Sequence, residues 1–269
     1  MEKEMKIAVL IDAENISSRY TGVILNEANN LGTIIIKRIY GDWTATQMSS
    51  WKQVVLDNCI QPIQQYSNTT GKNSSDSALI IDAMDLLYQS QIDAFCIVSS
   101  DSDFTRLAAR LRESEKYVLG LGEQKTPQSF ISACNKFSYI DLLYAAAQPA
   151  AEEKSAGRTR RGGGHKAPAE KPAAPVKTAA VTGGLGSDLD VVRRALIELA
   201  EENSEDDGWI LSSKLGELLN RKFPDFDVRN FRHKKFTRFV ESLQAFETKR
   251  LAAEGDKVHT IYFRVKESH

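Results

Sequence analysis

Short apolar runs alternate with stretches of helical periodicity over the first 146 residues, and this alternation constrains the fold more than any other feature of the chain. The apolar runs are MKIAVLI, GTIIIKRIY, IQPIQQY, AFCIVSS and YVLGLG, and each has the length of a strand. Helical patterns separate them, most clearly over residues 76–89 and 104–114. Because such alternation is typical of a parallel sheet with helices on both faces, we predict an α/β domain over residues 1–146.

Residues 147–186 have the composition of a linker. This segment holds four of the seven prolines of the chain and no aromatic residue, so it cannot bury a core. We predict a disordered, flexible linker between two folded domains. Its basic residues, with Arg158, Arg160 and Arg161 beside a triple glycine, leave open the alternative of an arm that contacts RNA.

Residues 187–269 predict a second, smaller domain of the α+β class. We expect amphipathic helices over residues 189–202, 211–223 and 234–244, with Ser212 or Ser213 capping the second. Two strand-like segments on either side of a Gly-Asp turn at residues 255–256 predict a hairpin. Three helices and a terminal hairpin form the plan of a winged helix-turn-helix module, which often presents a helix to nucleic acid.

Composition and charge exclude several classes of protein. The formal net charge is −1, but an acidic first domain is followed by a basic linker, which favours a polyanionic partner. No run of about 18 apolar residues suits a membrane span, and the first residues do not resemble a secretory signal, so we expect a cytoplasmic protein without membrane contact. Three scattered cysteines without a CxxC pair argue against a disulfide scaffold or a zinc site.

Several common catalytic motifs are missing from the first domain. There is no GxxxxGK[ST] loop and no GxGxxG after the first strand, which disfavours nucleotide hydrolysis and dinucleotide redox chemistry. All four histidines lie beyond residue 146, so no Ser or Cys nucleophile there has an imidazole partner within its own domain. Carboxylate and metal chemistry is the remaining option.

Aspartates follow two of the predicted strands, where ligands of parallel sheets bind. Asp12 follows the first strand, and Asp101 and Asp103 follow the fourth. Each could instead cap a helix, and Asp103 suits that role because the periodic residues begin at Phe104. Asn15 and Ser99 could orient a phosphate or a metal-bound water, or could be ordinary turn residues.

A fourth aspartate is predicted to point toward the sheet. Asp76 falls within the apolar stripe of its helix, whereas Asp82 and Asp85 fall outside it and are expected to be solvated. Several inward carboxylates without a cation would repel one another. Together with Asp12, Asp101 and Asp103, Asp76 would suit Mg²⁺ or Mn²⁺, which take oxygen ligands and support phosphoryl transfer.

The same residues resemble a known family. The segments IDAEN, KNSSDSALIIDAMDLL and IVSSDSDF, with LAARLRES behind the last, are similar to the NYN domain, a branch of the PIN-like ribonuclease fold, over about residues 5–146. The resemblance implies that the acidic metal-binding set is Asp12, Asp76, Asp101 and Asp103, supported by Asn15 and Ser99. It also implies metal-dependent endonucleolytic cleavage of RNA.

A second resemblance covers residues 208–250, from GWILSSKL to FETKR. This segment is similar to the OST-HTH or LOTUS domain, including the PDFD turn, which implies binding of RNA or of an RNA helicase. Its basic residues would contact the phosphates, and those we predict to bind RNA are Arg229, Arg232, Lys234, Lys235 and Arg238. Arg232 stands where the family pattern leads us to expect glycine, and a merely solvated polar face is the alternative.

We therefore expect a divalent-metal-dependent endoribonuclease that cleaves single-stranded or looped RNA and binds it through a C-terminal module. The alternative is a non-catalytic RNA-binding or adaptor protein that keeps a PIN-like fold. A phosphatase of the haloacid type is a third option, but its DxDx[TV] motif is absent because Ala13 and Glu14 follow Asp12.

Overall fold

A computed structural model describes residues 4–66, 74–89, 91–148, 184–252 and 259–266. Strands and helices alternate in the N-terminal domain. The strands are β1 (Lys6–Asp12), β2 (Thr33–Gly41), β3 (Gln61–Gln64), β4 (Ala94–Val98), β5 (Tyr117–Gly122) and β6 (Lys136–Tyr139). The helices are α1 (Thr21–Asn29), α2 (Trp51–Asp57), α3 (Ser74–Gln89), α4 (Thr105–Glu113), α5 (Gln128–Ala133) and α6 (Ile140–Ala147).

The six strands form one parallel sheet in the order β3-β2-β1-β4-β5-β6. Ala8 and Leu10 of β1 join a core with α3, α4 and α5, whereas Ile7, Val9 and Ile11 join a core with α1, α2 and α6. Both faces of β1 are thus buried, which explains its continuous apolar run. The predicted parallel sheet with helices on both faces is confirmed. The order places β1 beside β4, so the residues that follow these two strands meet at one edge.

The C-terminal domain is a small α+β unit. It consists of α7 (Leu189–Asn203), β7 (Ile210–Leu211), α8 (Ser212–Lys222), α9 (Phe236–Ser242), β8 (Phe246–Ala252) and β9 (His259–Val265). The strands form an antiparallel sheet in the order β7-β9-β8, and Phe239, Val240 and Phe263 lie in its core. This is the predicted plan of three helices and a hairpin. No helix within the described ranges is both long and apolar enough to cross a membrane.

Several predicted boundaries differ from the structure. A 3₁₀ turn, Ser18–Tyr20, precedes α1, and β7 is too short for a periodic pattern to indicate. The third helix of the C-terminal domain begins at Phe236, so Lys234 precedes it and Lys235 is its N-cap residue. Neither Ser212 nor Ser213 caps α8, because Leu211 is the N-cap and no side chain bonds the helix end. The hairpin turn predicted at residues 255–256 lies outside the described residues.

The two domains are in direct contact through buried polar groups. The Tyr139 hydroxyl at the end of β6 donates to Asp225 Oδ2 at 2.8 Å and accepts from the Gly184 N–H at 2.7 Å. The Gly186 N–H reaches both carboxylate oxygens of Asp225 at 3.2 Å. Residues 149–183 of the predicted linker lie outside the described ranges, while residues 184–186 form part of this contact.

An ion pair joins the domains beside that contact. Glu27 of α1 accepts two hydrogen bonds from the Arg229 guanidinium, at 2.7 and 2.8 Å, and its side chain is only 5% exposed. Asp227 accepts from the same guanidinium at 2.6 to 3.0 Å. Arg229 therefore lies between one carboxylate of each domain. Bidentate pairing of this kind fixes orientation as well as distance.

Candidate active site

Asp12 ends β1 at the carboxyl edge of the sheet, and its side chain is held by four hydrogen bonds. Oδ1 accepts the backbone N–H groups of Glu14 and Asn15, at 3.1 and 3.3 Å. Oδ2 accepts from the Asn15 side-chain amide at 2.7 Å and from the Ser99 hydroxyl at 2.8 Å. Burial raises the pKa of Asp12, although these hydrogen bonds oppose the shift. Asn15 and Ser99 thus support Asp12 directly.

Ser99 connects the ends of the two central strands. Ser99 directly follows β4, which pairs with β1, and its side chain is fully buried. The hydroxyl donates to Asp12 and accepts from the Asp101 N–H at 3.1 Å. One side chain therefore fixes the loop that carries Asp101 against the loop that follows β1.

Asp76 reaches the same edge from α3. Its residue is 7% exposed, and Leu79 and Ala83 on the same helix face are fully buried. The prediction that Asp76 points inward is confirmed. Burial, and then the negative charges of Asp12, Asp101 and Asp103, raise its pKa to about 7, because each of these effects disfavours the charged form.

Asp101 and Asp103 follow β4, and their capping roles differ from the alternative considered for the sequence. Asp101 is the N-cap of the 3₁₀ turn Ser102–Phe104, and its Oδ1 accepts the Asp103 N–H at 3.0 Å. Asp103 lies within that turn and does not cap α4, whose N-cap residue is Phe104. The Asp103 side chain is exposed at the edge of the sheet.

The side chains of Asp76, Asp101 and Asp103 come together. One carboxylate oxygen from each lies within 4.8 Å of the other two, and this is the group suited to a metal ion among the residues that the structure describes. Asp12 lies beside this group and not within it, though close enough for its charge to act on Asp76. Three carboxylates at this spacing fit a hard divalent cation, which would also relieve their mutual repulsion.

Sequence reasoning missed a fifth carboxylate at this edge. Glu14 is exposed, accepts from the Ser75 hydroxyl at 2.8 Å, and its charge contributes to the raised pKa of Asp76. The available signal was its position two residues after Asp12, in IDAEN. Sequence reasoning was also wrong about Asp82, which was expected to be solvated but pairs with Arg38 and the Tyr40 hydroxyl.

The basic residues of the C-terminal domain fall into two groups. Arg229 is engaged by Glu27 and Asp227, and Arg238 pairs with Glu241 at 3.1 Å. Arg232, Lys234 and Lys235 are exposed on the segment that leads into α9. Binding of RNA by these five residues stays a prediction.

Comparison with known proteins agrees with this architecture. The NYN domain model matches residues 6–141, and the OST-HTH/LOTUS domain model matches residues 187–258. No curated protein matches the sequence.

Two solved structures are similar to parts of the chain. A protein of unknown function from Vibrio parahaemolyticus is 17% identical, with a TM-score of 0.43, over 51% of this chain and 93% of its own. An uncharacterized protein from Nitrosomonas europaea is 25% identical, with a TM-score of 0.27, over 38% of this chain and 95% of its own.

Proposed function

This chain belongs to the NYN domain family and carries an OST-HTH/LOTUS domain behind its NYN domain, and from that premise we propose that it is a divalent-metal-dependent endoribonuclease. NYN domains are nuclease-like and OST-HTH/LOTUS domains bind RNA, so an RNA-related role fits the whole chain. The observation that carries the proposal is the approach of three carboxylates within 4.8 Å at the carboxyl edge of the sheet.

Asp76, Asp101 and Asp103 are the residues that would hold Mg²⁺ or Mn²⁺. Such an ion, when bound, supplies Lewis acidity for the attack of water on a phosphodiester and neutralises charge on the leaving oxygen. Asp76 is held by a helix and Asp101 by its own cap hydrogen bond, so these oxygens are positioned before any ligand arrives. Preorganised groups of this kind lose little entropy when they bind.

Asp12 is proposed to position the site. All four of its hydrogen bonds come from Glu14, Asn15 and Ser99, so it sets the spacing between the loops after β1 and β4. Its negative charge also adds to the field that attracts a cation. The Asn15 amide has a second N–H that can donate to a phosphate oxygen, whereas the buried Ser99 hydroxyl already donates its proton to Asp12.

We propose single-stranded or looped RNA as the substrate. Asp76 is 7% exposed, so at least this carboxylate is set back from the surface, while Asp103 is exposed beside it. An unpaired backbone can bend toward such a carboxylate, whereas a regular A-form duplex is stiff and is recognised mainly across its wide minor groove.

The test is cleavage of a 5′-labelled single-stranded RNA by the purified full chain, with Mn²⁺, with Mg²⁺ and with chelator. We expect cleavage only with metal, and a loss of about a hundredfold or more for Asp103→Asn and for Asp76→Asn. Asp85→Asn is the matched control, because Asp85 is an exposed aspartate on α3. A perfect duplex of the same sequence should be cut more slowly.

Calorimetric titration with Mn²⁺ supplies a readout independent of turnover. Asp103→Asn should weaken binding of the ion strongly, whereas Asp85→Asn should leave it unchanged. If the protein binds metal and RNA but does not cleave RNA, the proposed nuclease activity is wrong and the alternative of a non-catalytic RNA-binding protein is supported. Cleavage that persists in Asp103→Asn would show that the site is elsewhere.

A further inference from the structure

A groove of about 920 Å³ lies between the two domains, outside the acidic site. The N-terminal domain contributes α1, the turn before it, and α6. The C-terminal domain contributes the segment from Arg229 to Lys234, which includes the 3₁₀ turn Val228–Phe231. Its lining includes Arg19 and Tyr144 of the N-terminal domain and Arg232 and Lys234 of the C-terminal domain.

The charge of this groove is positive. Glu27 is the acidic residue among its described lining residues, and it pairs at 2.7 and 2.8 Å with Arg229, a cation that Asp227 shares. Arg19, Arg232 and Lys234 are exposed, and the structure shows no ion pair for any of them within its described ranges. These cations come from both domains, so neither domain alone presents the full set.

Aromatic rings accompany the arginine at one end of the groove. The Arg19 guanidinium lies 4.6 Å from the ring centre of Tyr20 and 5.9 Å from that of Tyr144, and the two rings meet edge to face at 5.4 Å. Tyr144 is partly exposed into the groove. Cations with aromatic surfaces are the combination that tracks a phosphate backbone and stacks unpaired bases.

One end of the groove lies on the connection that follows β1, the strand that ends in Asp12. Arg19 stands seven residues after Asp12, on the connection that leaves the carboxyl edge of β1. In a βαβ unit the helix returns antiparallel to the strands, so α1 leads away from that edge, from Arg19 to Glu27 near its end. Arg229, which pairs with Glu27, therefore joins the groove near the end of α1 that is remote from that edge.

We propose that this groove is a binding site for single-stranded RNA, assembled from both domains, which leads the strand from the C-terminal domain to the acidic edge. The proposal rests on the proposed function for the direction of the path and for RNA as the ligand. It assigns new roles to residues of the NYN domain itself, with Arg19 contacting phosphate and Tyr144 contacting a base.

The experiment measures binding of a fluorescein-labelled oligouridylate by anisotropy, with the full chain and with chelator present, over a series of salt concentrations. Arg19→Glu and Lys234→Glu should each weaken binding about tenfold and reduce the salt slope by about 0.7 for each phosphate that the protein no longer neutralises. Arg19→Lys keeps the charge and should retain most of the affinity. Lys52→Glu is the matched control, because Lys52 is an exposed lysine on α2 that does not line the groove. Melting temperatures establish that each variant is folded.

Unchanged binding by Arg19→Glu would overturn the proposal and would indicate that RNA binds only to the C-terminal domain. Stronger binding by Arg19→Glu would also overturn it, and would indicate that the basic linker of this chain occupies the groove. Because chelator prevents metal-dependent turnover, binding and catalysis are judged separately. If the protein needs Arg19 to bind RNA but does not cleave it, the proposed binding groove is supported and the proposed nuclease activity is contradicted.

Discussion

Asp76 should make the stability of the metal-free protein depend on pH near neutrality. Its folded-state pKa is raised from 3.8 to about 7, so between these values the folded state binds the proton more tightly than the unfolded state. Stability is therefore highest below this window and falls as the pH rises through about 7. With chelator present, the melting temperature should fall between about pH 5 and about pH 8.

The variant Asp76→Asn should remove most of that pH dependence. We expect it to raise stability by about 1–3 kcal/mol at the upper end of the range, as measured by thermal and urea unfolding. Asp85→Asn should follow the wild type. A wild-type melting temperature that rises steadily across the same range would contradict the assignment.

Arg232 adopts a backbone conformation that favours glycine. Its φ is 61° and its ψ is 24°, and its N–H closes the 3₁₀ turn on the Arg229 and Val228 carbonyls. A left-handed conformation costs a non-glycine residue about 1–2 kcal/mol. Arg232→Gly should therefore raise the unfolding free energy by up to about 1 kcal/mol, while it weakens RNA binding through loss of the charge. Lower stability in urea would contradict this.

Residues whose position follows from a strand end or a helix face could be predicted from the sequence, whereas a contact between distant elements could not. Asp12 and Asp101 could be predicted because parallel strands end at a common edge, and Asp76 because it shares a helix face with buried residues. The pairing of Asp82 with Arg38 depends on how α3 packs across β2. Periodicity contains no information about such a distance, so this partner could not be predicted.

At the scale of the elements, Gly184 and Gly186 occupy two positions that leave no room for a side chain. A Cβ on Gly186 would lie 2.5 Å from Asp225 Oδ1 and 2.8 Å from the Phe226 nitrogen. Because Asp225 is fully buried, the carboxylate cannot move aside. Gly186→Ala should therefore lower stability by about 2 kcal/mol or more, measured by urea unfolding.

Gly22 is the matched control for that substitution. It is exposed in α1, and a Cβ there would meet nothing within 4 Å. Gly22→Ala should raise stability by about 0.5–1 kcal/mol, because alanine loses less entropy in a helix. Equal effects at the two positions would show that the close approach to Asp225 does not exist in solution.

The sequence predicted the order and type of the elements better than their ends. Long apolar runs indicated β1, β4 and β5, since a strand buried on both faces has no polar alternation. An apolar run also indicated β2, although only its last three residues are buried. The pattern over residues 234–244 predicts a helix that includes Lys234, but α9 begins only at Phe236. The extended Lys235 sets that boundary, and it follows from the tertiary position of the preceding turn rather than from local propensity.

At the scale of the whole molecule, Glu27 and Arg229 hold the two domains together. Their contact spans 202 residues of sequence, so no local pattern could indicate it, and Glu27 looks like an ordinary helix residue. Removing one partner of a buried pair costs about 3–5 kcal/mol, less here because Arg229 is 37% exposed. Arg229→Ala should therefore separate the domains in part of the population.

Small-angle scattering and thermal unfolding measure that separation. Arg229→Ala should increase the radius of gyration and replace a single unfolding transition by two. The control is Arg221→Ala, because Arg221 makes an exposed pair with Glu217 and such pairs contribute about 1 kcal/mol or less. An unchanged radius of gyration in Arg229→Ala would show that the ion pair is not required for docking.

The buried pair between Glu27 and Arg229 also limits how freely these modules can be recombined. A chimera that joins this NYN domain to another winged-helix domain would bury Glu27 without its cation, and Tyr139 would lose its carboxylate acceptor. The misfit would fall on α1 and β6, and a longer linker would not remove it. A working fusion would therefore have to keep Glu27 and Tyr139 together with Arg229 and Asp225 of the C-terminal domain.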